Sequence, residues 1–103
     1  MDFLVCKSGL LGLEIHVALE DVKDQEEAIS KAKDIALHTK AGFTVGLFTR
    51  EGDAICGWKV LGGGKMRNED ISVIRQKCFV GPESFDSAKR QAERLPKALA
   101  KKK

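Results

Sequence analysis

The amino-acid sequence predicts an α+β fold: an antiparallel sheet of three to five strands with two helices packed on one face, in the order (β)β-α-β-β-β-α. Short stretches with apolar residues at every second position indicate strands, and turn-forming residues separate them. Two other stretches carry apolar residues at helical spacing. With 103 residues, 43% of them apolar, the chain has the material for one core. We therefore expect one domain over 1–100 and a frayed lysine tail at 101–103.

The first predicted element is a β-hairpin. Between residues 11 and 19 apolar residues occupy every second position, which is the pattern of a half-buried strand. Glu14 and His16 fall on the opposite, polar face. Phe3–Cys6 is expected to pair with this strand across the turn 7–10.

The next element is a helix that begins at residue 24. Asp24 and Glu27 form a capping-box-like pair, in which each side chain can satisfy an amide of the first turn. Gly42 is expected to stop the helix, because glycine accepts the left-handed backbone conformation. The apolar stripe consists of Ala28, Ile29, Ala32, Ile35 and Ala36.

Three further strands are predicted before the last helix. Residues 43–49 and 54–60 alternate in polarity and form a hairpin around the turn 50–53. The triple glycine in 62–68 predicts an irregular loop, the most mobile internal segment, because glycine carries high backbone entropy. Residues 71–80 are interpreted as the third of these strands.

The chain then turns at 81–84 into the last helix. Pro96 lacks the amide hydrogen that a helix interior uses, so we expect the helix to kink or end at Leu95. Its narrow apolar stripe comprises Phe85, Ala88, Ala92, Leu95 and Leu99.

The residues with chemical potential form no known catalytic or metal-binding motif. Cys6, Cys56 and Cys78 lack C-x-x-C spacing, and three thiols cannot all pair internally. Free thiols of a reducing, cytoplasmic setting are the expected state. We interpret His16 and His38 as surface residues, because no nucleophile elbow or paired motif lies beside either one. We therefore expect no catalytic residue, no cofactor and no metal.

Membrane insertion and secretion are not predicted. The start of the chain lacks the basic segment of a signal peptide. No stretch approaches the roughly 20 apolar residues that span a bilayer.

The α-β-β-β-α order from residue 24 onward resembles the double-stranded-RNA-binding domain, over about three-quarters of the chain. The residues that match the pattern of that family's last helix are Ser84, Ala88, Lys89 and Ala92. The resemblance implies RNA contact through the start of this helix. Phe85 and Asp86 stand where that family carries lysines, and the turn 50–53 lacks its proline–histidine signature. We therefore do not assign the chain to that family; a relative that does not bind RNA, or an unrelated fold of the same order, fits better.

The charge is unevenly distributed along the chain. The net charge is +3, but residues 1–52 hold six basic and nine acidic side chains, whereas residues 53–103 hold twelve basic and six acidic ones. This polarity can orient the molecule toward an acidic partner, or it can reflect a solvated last helix with a lysine tail.

Small size, no clustered nucleophile and base, and the uneven charge favour a non-catalytic binding or regulatory protein. We expect it to act as a monomer or homodimer by contacting another protein, for example as an inhibitor or modulator of a larger machine. One alternative is a nucleic-acid-binding module that uses the basic C-terminal half. A small enzyme or ligand-binding domain that uses cysteine or histidine is a further alternative. The candidate partner-binding residues are Lys65, Arg67, Arg75, Lys77, Lys89, Arg90 and Arg94.

Overall fold

A computed structural model describes the backbone of residues 1–101 and the side chains of residues 1–92. Its centre is a five-stranded antiparallel sheet with the strand order β2-β1-β3-β4-β5. The strands are β1 (Phe3–Ser8), β2 (Glu14–Leu19), β3 (Thr44–Thr49), β4 (Ala54–Gly62) and β5 (Lys65–Asn68). The helices are α1 (Gln25–Leu37), α2 (Ile71–Lys77) and α3 (Ser84–Lys101), and a short 3₁₀ turn covers Leu10–Gly12. The α+β class and the antiparallel sheet are as predicted.

The helices pack on both faces of the sheet, so the prediction of two helices on one face is wrong. Phe3 and Val5 of β1 pack in one core with the alanines of α1. The intervening Leu4 and Cys6 point to the other face and pack in a second core with Ile74 of α2 and Ala88 of α3. The reason lies in the central strands, because β1 and β3 are apolar at consecutive positions and need cover on both sides.

Residues 71–80 are not the predicted strand. Ile71–Lys77 form α2, which carries Arg75 and Lys77 in its last turn. Ile74 and Cys78 are buried against the sheet, and this four-residue spacing is helical. The alternating pattern read from the sequence would have placed both cations on a strand face that is partly apolar.

The triple glycine is part of regular structure, contrary to the predicted irregular loop. Gly62 ends β4, Lys65 begins β5, and Gly63 and Gly64 join the two strands. Their φ angles are 61° and 75°. A two-residue hairpin turn with positive φ at both positions favours glycine strongly, which explains the glycines without invoking disorder.

The helix boundaries agree only in part with the sequence. Asp24 caps α1 as predicted, accepting a hydrogen bond from the Glu27 amide at 2.8 Å. The helix ends at Leu37, before the predicted stop at Gly42. The backbone of α3 remains helical to Lys101, so the helix does not end at Leu95. The side chains of Leu95 and Leu99, and residues 102–103 of the predicted tail, lie outside the described residues.

Among the described residues, none of the helices combines the length and the apolar character needed to cross a membrane.

Candidate functional site

Four side chains form a cluster between the sheet and the link from α2 to α3. Cys6 of β1 lies directly opposite His16 of β2, and Glu14 lies two residues from His16 on the same face. Cys78, which follows α2, packs in the same core as Cys6. We call Cys6, Glu14, His16 and Cys78 the thiol–imidazole cluster.

Three polar groups converge on one oxygen of this cluster. The Cys6 thiol donates to Glu14 Oε1 at 3.2 Å, and the Phe79 amide donates to the same oxygen at 2.9 Å. His16 Nε2 lies 2.6 Å from it. Cys6 is fully buried, whereas the side chains of His16 and Glu14 are 22% and 17% exposed. The imidazole and the carboxylate border a cavity of about 220 Å³ that is completed by Ser87, Ala88 and Gln91 of α3.

The Cys6 thiol is strongly biased toward its protonated form. The neighbouring Cys78 thiol, burial and the Glu14 carboxylate all raise the pKa of Cys6 above its ordinary value. Burial also raises the pKa of Cys56, on the far side of the sheet. Without another group to remove its proton, the Cys6 thiol is therefore a poor nucleophile.

A second feature is a basic cluster of Lys59, Arg67 and Lys77. Lys59 of β4 lies directly opposite Arg67 of β5. Burial and the neighbouring charge of Lys77 lower the pKa of Lys59, with a smaller effect from Arg67, while Glu69 acts in the opposite direction. The Lys59 ammonium donates to the carbonyl of Gly42 at 2.9 Å. An anion that approaches these three cations would reduce the electrostatic repulsion among them.

The candidate partner-binding residues do not form one surface. Lys65, Arg67, Arg75 and Lys77 belong to β5 and α2, which lie toward one edge of the sheet. Lys89 and Arg90 belong to α3, which packs on β2 at the other edge, and Lys89 forms an ion pair with Glu20 at 3.1 Å. Arg94 is within α3, but its side chain lies outside the described residues.

A third feature is an apolar end formed by Leu10, Leu11, Leu13 and Phe79. The three leucines belong to the turn between β1 and β2, which a 2.8 Å hydrogen bond from the Gly9 amide to the Leu13 carbonyl closes. Leu11 is fully exposed, Leu10 is 76% exposed and Phe79 is 78% exposed. The amide of Phe79 is bonded to Glu14, the residue after Leu13, so this aromatic residue is anchored beside the hairpin.

The sequence contained a signal for the thiol–imidazole cluster that its interpretation did not use. Glu14 and His16 were placed on one face of a strand, and the hairpin partner Phe3–Cys6 was predicted as well. The sequence pattern does not specify the register that sets Cys6 opposite His16, and it does not show that α3 covers this face. Lys59 and the apolar end gave no motif, because their grouping depends on tertiary structure.

Comparison with known proteins adds no functional assignment: no family description, no curated protein and no solved structure matches this chain.

Proposed function

We propose that this chain is a non-catalytic binding or regulatory protein of the cytoplasm, and that its apolar end docks on another protein. The observation that carries the proposal is Leu11, which is fully exposed at φ 66°. The left-handed conformation costs an L-residue about 1–2 kcal/mol. Both the backbone conformation and the exposure to water at this position are therefore unfavourable for leucine. Burial against a partner would return about 1.5–3 kcal/mol for such a side chain.

The surroundings of the apolar end favour a partner with apolar and acidic groups together. Beside Leu13 lies a cavity of about 290 Å³, lined by Ile15, Phe43, Lys7 and Lys40 among others. An apolar side chain of the partner fits such a cavity, and acidic neighbours would meet the two lysines at its rim. A protein of this kind can act as an inhibitor or modulator of a larger assembly.

The test compares Leu11→Asn with Leu61→Asn, a matched change at another exposed leucine, at the end of β4. Asparagine tolerates the left-handed conformation, so Leu11→Asn should unfold no more easily than the natural chain, and up to about 1 kcal/mol less easily. Tagged chains are used to capture partners from lysate of the source organism, with and without nuclease treatment. We expect protein partners that Leu11→Asn loses at least tenfold and Leu61→Asn retains.

Three outcomes would contradict this proposal. Equal capture by both variants would remove the apolar end from the interface. Loss of every partner on nuclease treatment would favour nucleic acid. A homodimer in solution that Leu11→Asn dissociates would make a second copy the occupant.

Nucleic-acid binding is the second candidate, and the basic cluster is the observation that favours it. Each phosphate neutralised by Lys59, Arg67 or Lys77 should contribute about 0.9 to the slope of log affinity against log salt for duplex DNA. Arg67→Gln and Lys77→Gln should each flatten this slope, whereas Lys31→Gln, at an exposed cation of α1, serves as the control. We expect weak binding that disappears near a salt concentration of about 0.15 M. Tight binding at that salt, lost in both cluster variants, would place this candidate first.

A further inference from the structure

The thiol–imidazole cluster has the donor set of a metal site. Cys6 Sγ, a Glu14 carboxylate oxygen and a His16 ring nitrogen all lie within 4.8 Å of one another. Thiolate, imidazole and carboxylate are the three side-chain ligand types of zinc in proteins. Soft sulfur and nitrogen donors argue against magnesium and calcium, which take oxygen ligands.

We propose that Cys6, Glu14 and His16 bind Zn²⁺, and that Cys78 supplies the fourth ligand. Bonds of about 2.0–2.3 Å place the ligand atoms of a tetrahedral zinc about 3.3–3.8 Å apart. The observed separations of 3.2 Å and 2.6 Å from Glu14 Oε1 both lie below this range, so the ligand atoms have to move apart by up to about 0.7 Å to admit the ion. The Cys78 thiol adjoins that of Cys6 in the same core.

Binding exchanges protons for the metal. The Cys6 and Cys78 thiols each release one proton to solvent and become thiolates, and His16 binds through an unprotonated ring nitrogen. Two thiolates and the Glu14 carboxylate give the zinc site a net charge of −1. The cavity beside Glu14 and His16 provides an entry path for the ion. The site would link β1, β2 and the segment after α2, and it does not depend on the proposed protein contact.

The experiment titrates the reduced 103-residue chain with Co²⁺ and then displaces the cobalt with Zn²⁺. We expect one ion per chain, the visible bands of tetrahedral cobalt and a thiolate-to-cobalt charge-transfer band. Zinc at a hundredfold excess over its dissociation constant should raise the melting temperature by roughly 10 °C or more.

The variants separate a metal ligand from a structural residue. Glu14→Gln keeps an acceptor for the Phe79 amide but loses the carboxylate, and His16→Gln changes a residue that is not fully buried. Both should weaken cobalt binding at least tenfold, and Cys78→Ser should reduce the intensity of the charge-transfer band. The matched controls are His38→Gln and Cys56→Ser, which change the other histidine and the other cysteine and should bind within twofold of the natural chain.

The proposal is overturned if reduced protein gives no charge-transfer band and no thermal shift. It is also overturned if Glu14→Gln and His16→Gln bind as tightly as the controls. A cobalt spectrum that is lost only in the control variants would assign the ion to another site.

Discussion

Gly57 shows how a single missing side chain sets the distance between a helix and the sheet. Gly57 and Gly46 lie opposite each other in β4 and β3, beneath Ile74 of α2. A Cβ atom on Gly57 would clash with Ile74 Cδ1 and lie 2.6 Å from the carbonyl oxygen of Val45. The isoleucine can change its rotamer, but the carbonyl belongs to the sheet backbone and cannot move away.

We therefore predict that Gly57→Ala lowers the free energy of unfolding by about 1–3 kcal/mol, the usual cost of overpacking a core. Chemical denaturation measures this change directly. Gly81→Ala is the control, because a Cβ atom there would meet no atom within 4 Å, and it should change stability by less than about 0.5 kcal/mol. Equal effects at the two positions would show that both the sheet backbone at Val45 and α2 adjust to the added methyl group.

At the scale of elements, the sequence predicted best where one face of a segment was polar. β2, β4 and α1 were found because their apolar residues alternate with polar ones or recur at helical spacing. β3 was found from the alternation of Val45 and Leu47, although both of its faces are buried. α2 was mistaken for a strand because its seven residues cover only two turns, and so short an apolar pattern fits either period. β5 was missed because its four residues follow a glycine turn and hold a single half-buried apolar residue, Met66.

The candidate sites were harder to predict than the elements, since each joins distant parts of the chain. Cys6 meets Cys78 across more than 70 positions, and the basic cluster joins β4, β5 and α2. Only pairing register and the side of the sheet that each helix covers bring such residues together. Local periodicity contains neither, so Cys6 and Cys78 look like isolated thiols in the sequence, and no sequence pattern marks Lys59.

At the scale of the whole molecule, Arg50 joins three separate segments at one end of the sheet. It donates to Asp2, before β1, at 2.8 Å and to Asp86, in the first turn of α3, at 3.1 Å. Its guanidinium also stacks 4.7 Å from the ring centre of Phe85, which is buried. These side chains are partly exposed, so each ion pair should contribute only about 0.2–1 kcal/mol.

The Asp2 carboxylate makes this end of the molecule sensitive to acid. Hydrogen bonding from the Asp21 amide lowers the pKa of Asp2 below its ordinary value of 3.8, and Arg50 adds to this effect while burial opposes it. A carboxyl whose pKa is lower in the folded state stabilises the fold above its unfolded pKa, and this contribution is lost as the pH falls through the folded-state value.

Asp2→Asn should therefore be less stable than the natural chain at pH 7, by less than about 1 kcal/mol. The difference should shrink below pH 3.8. Urea denaturation from pH 7 to pH 2.5, with Glu51→Gln as a charge-matched control in the neighbouring turn, measures this difference. A deficit that persists unchanged at the lowest pH would mean that Asp2 acts through its shape and not through its charge.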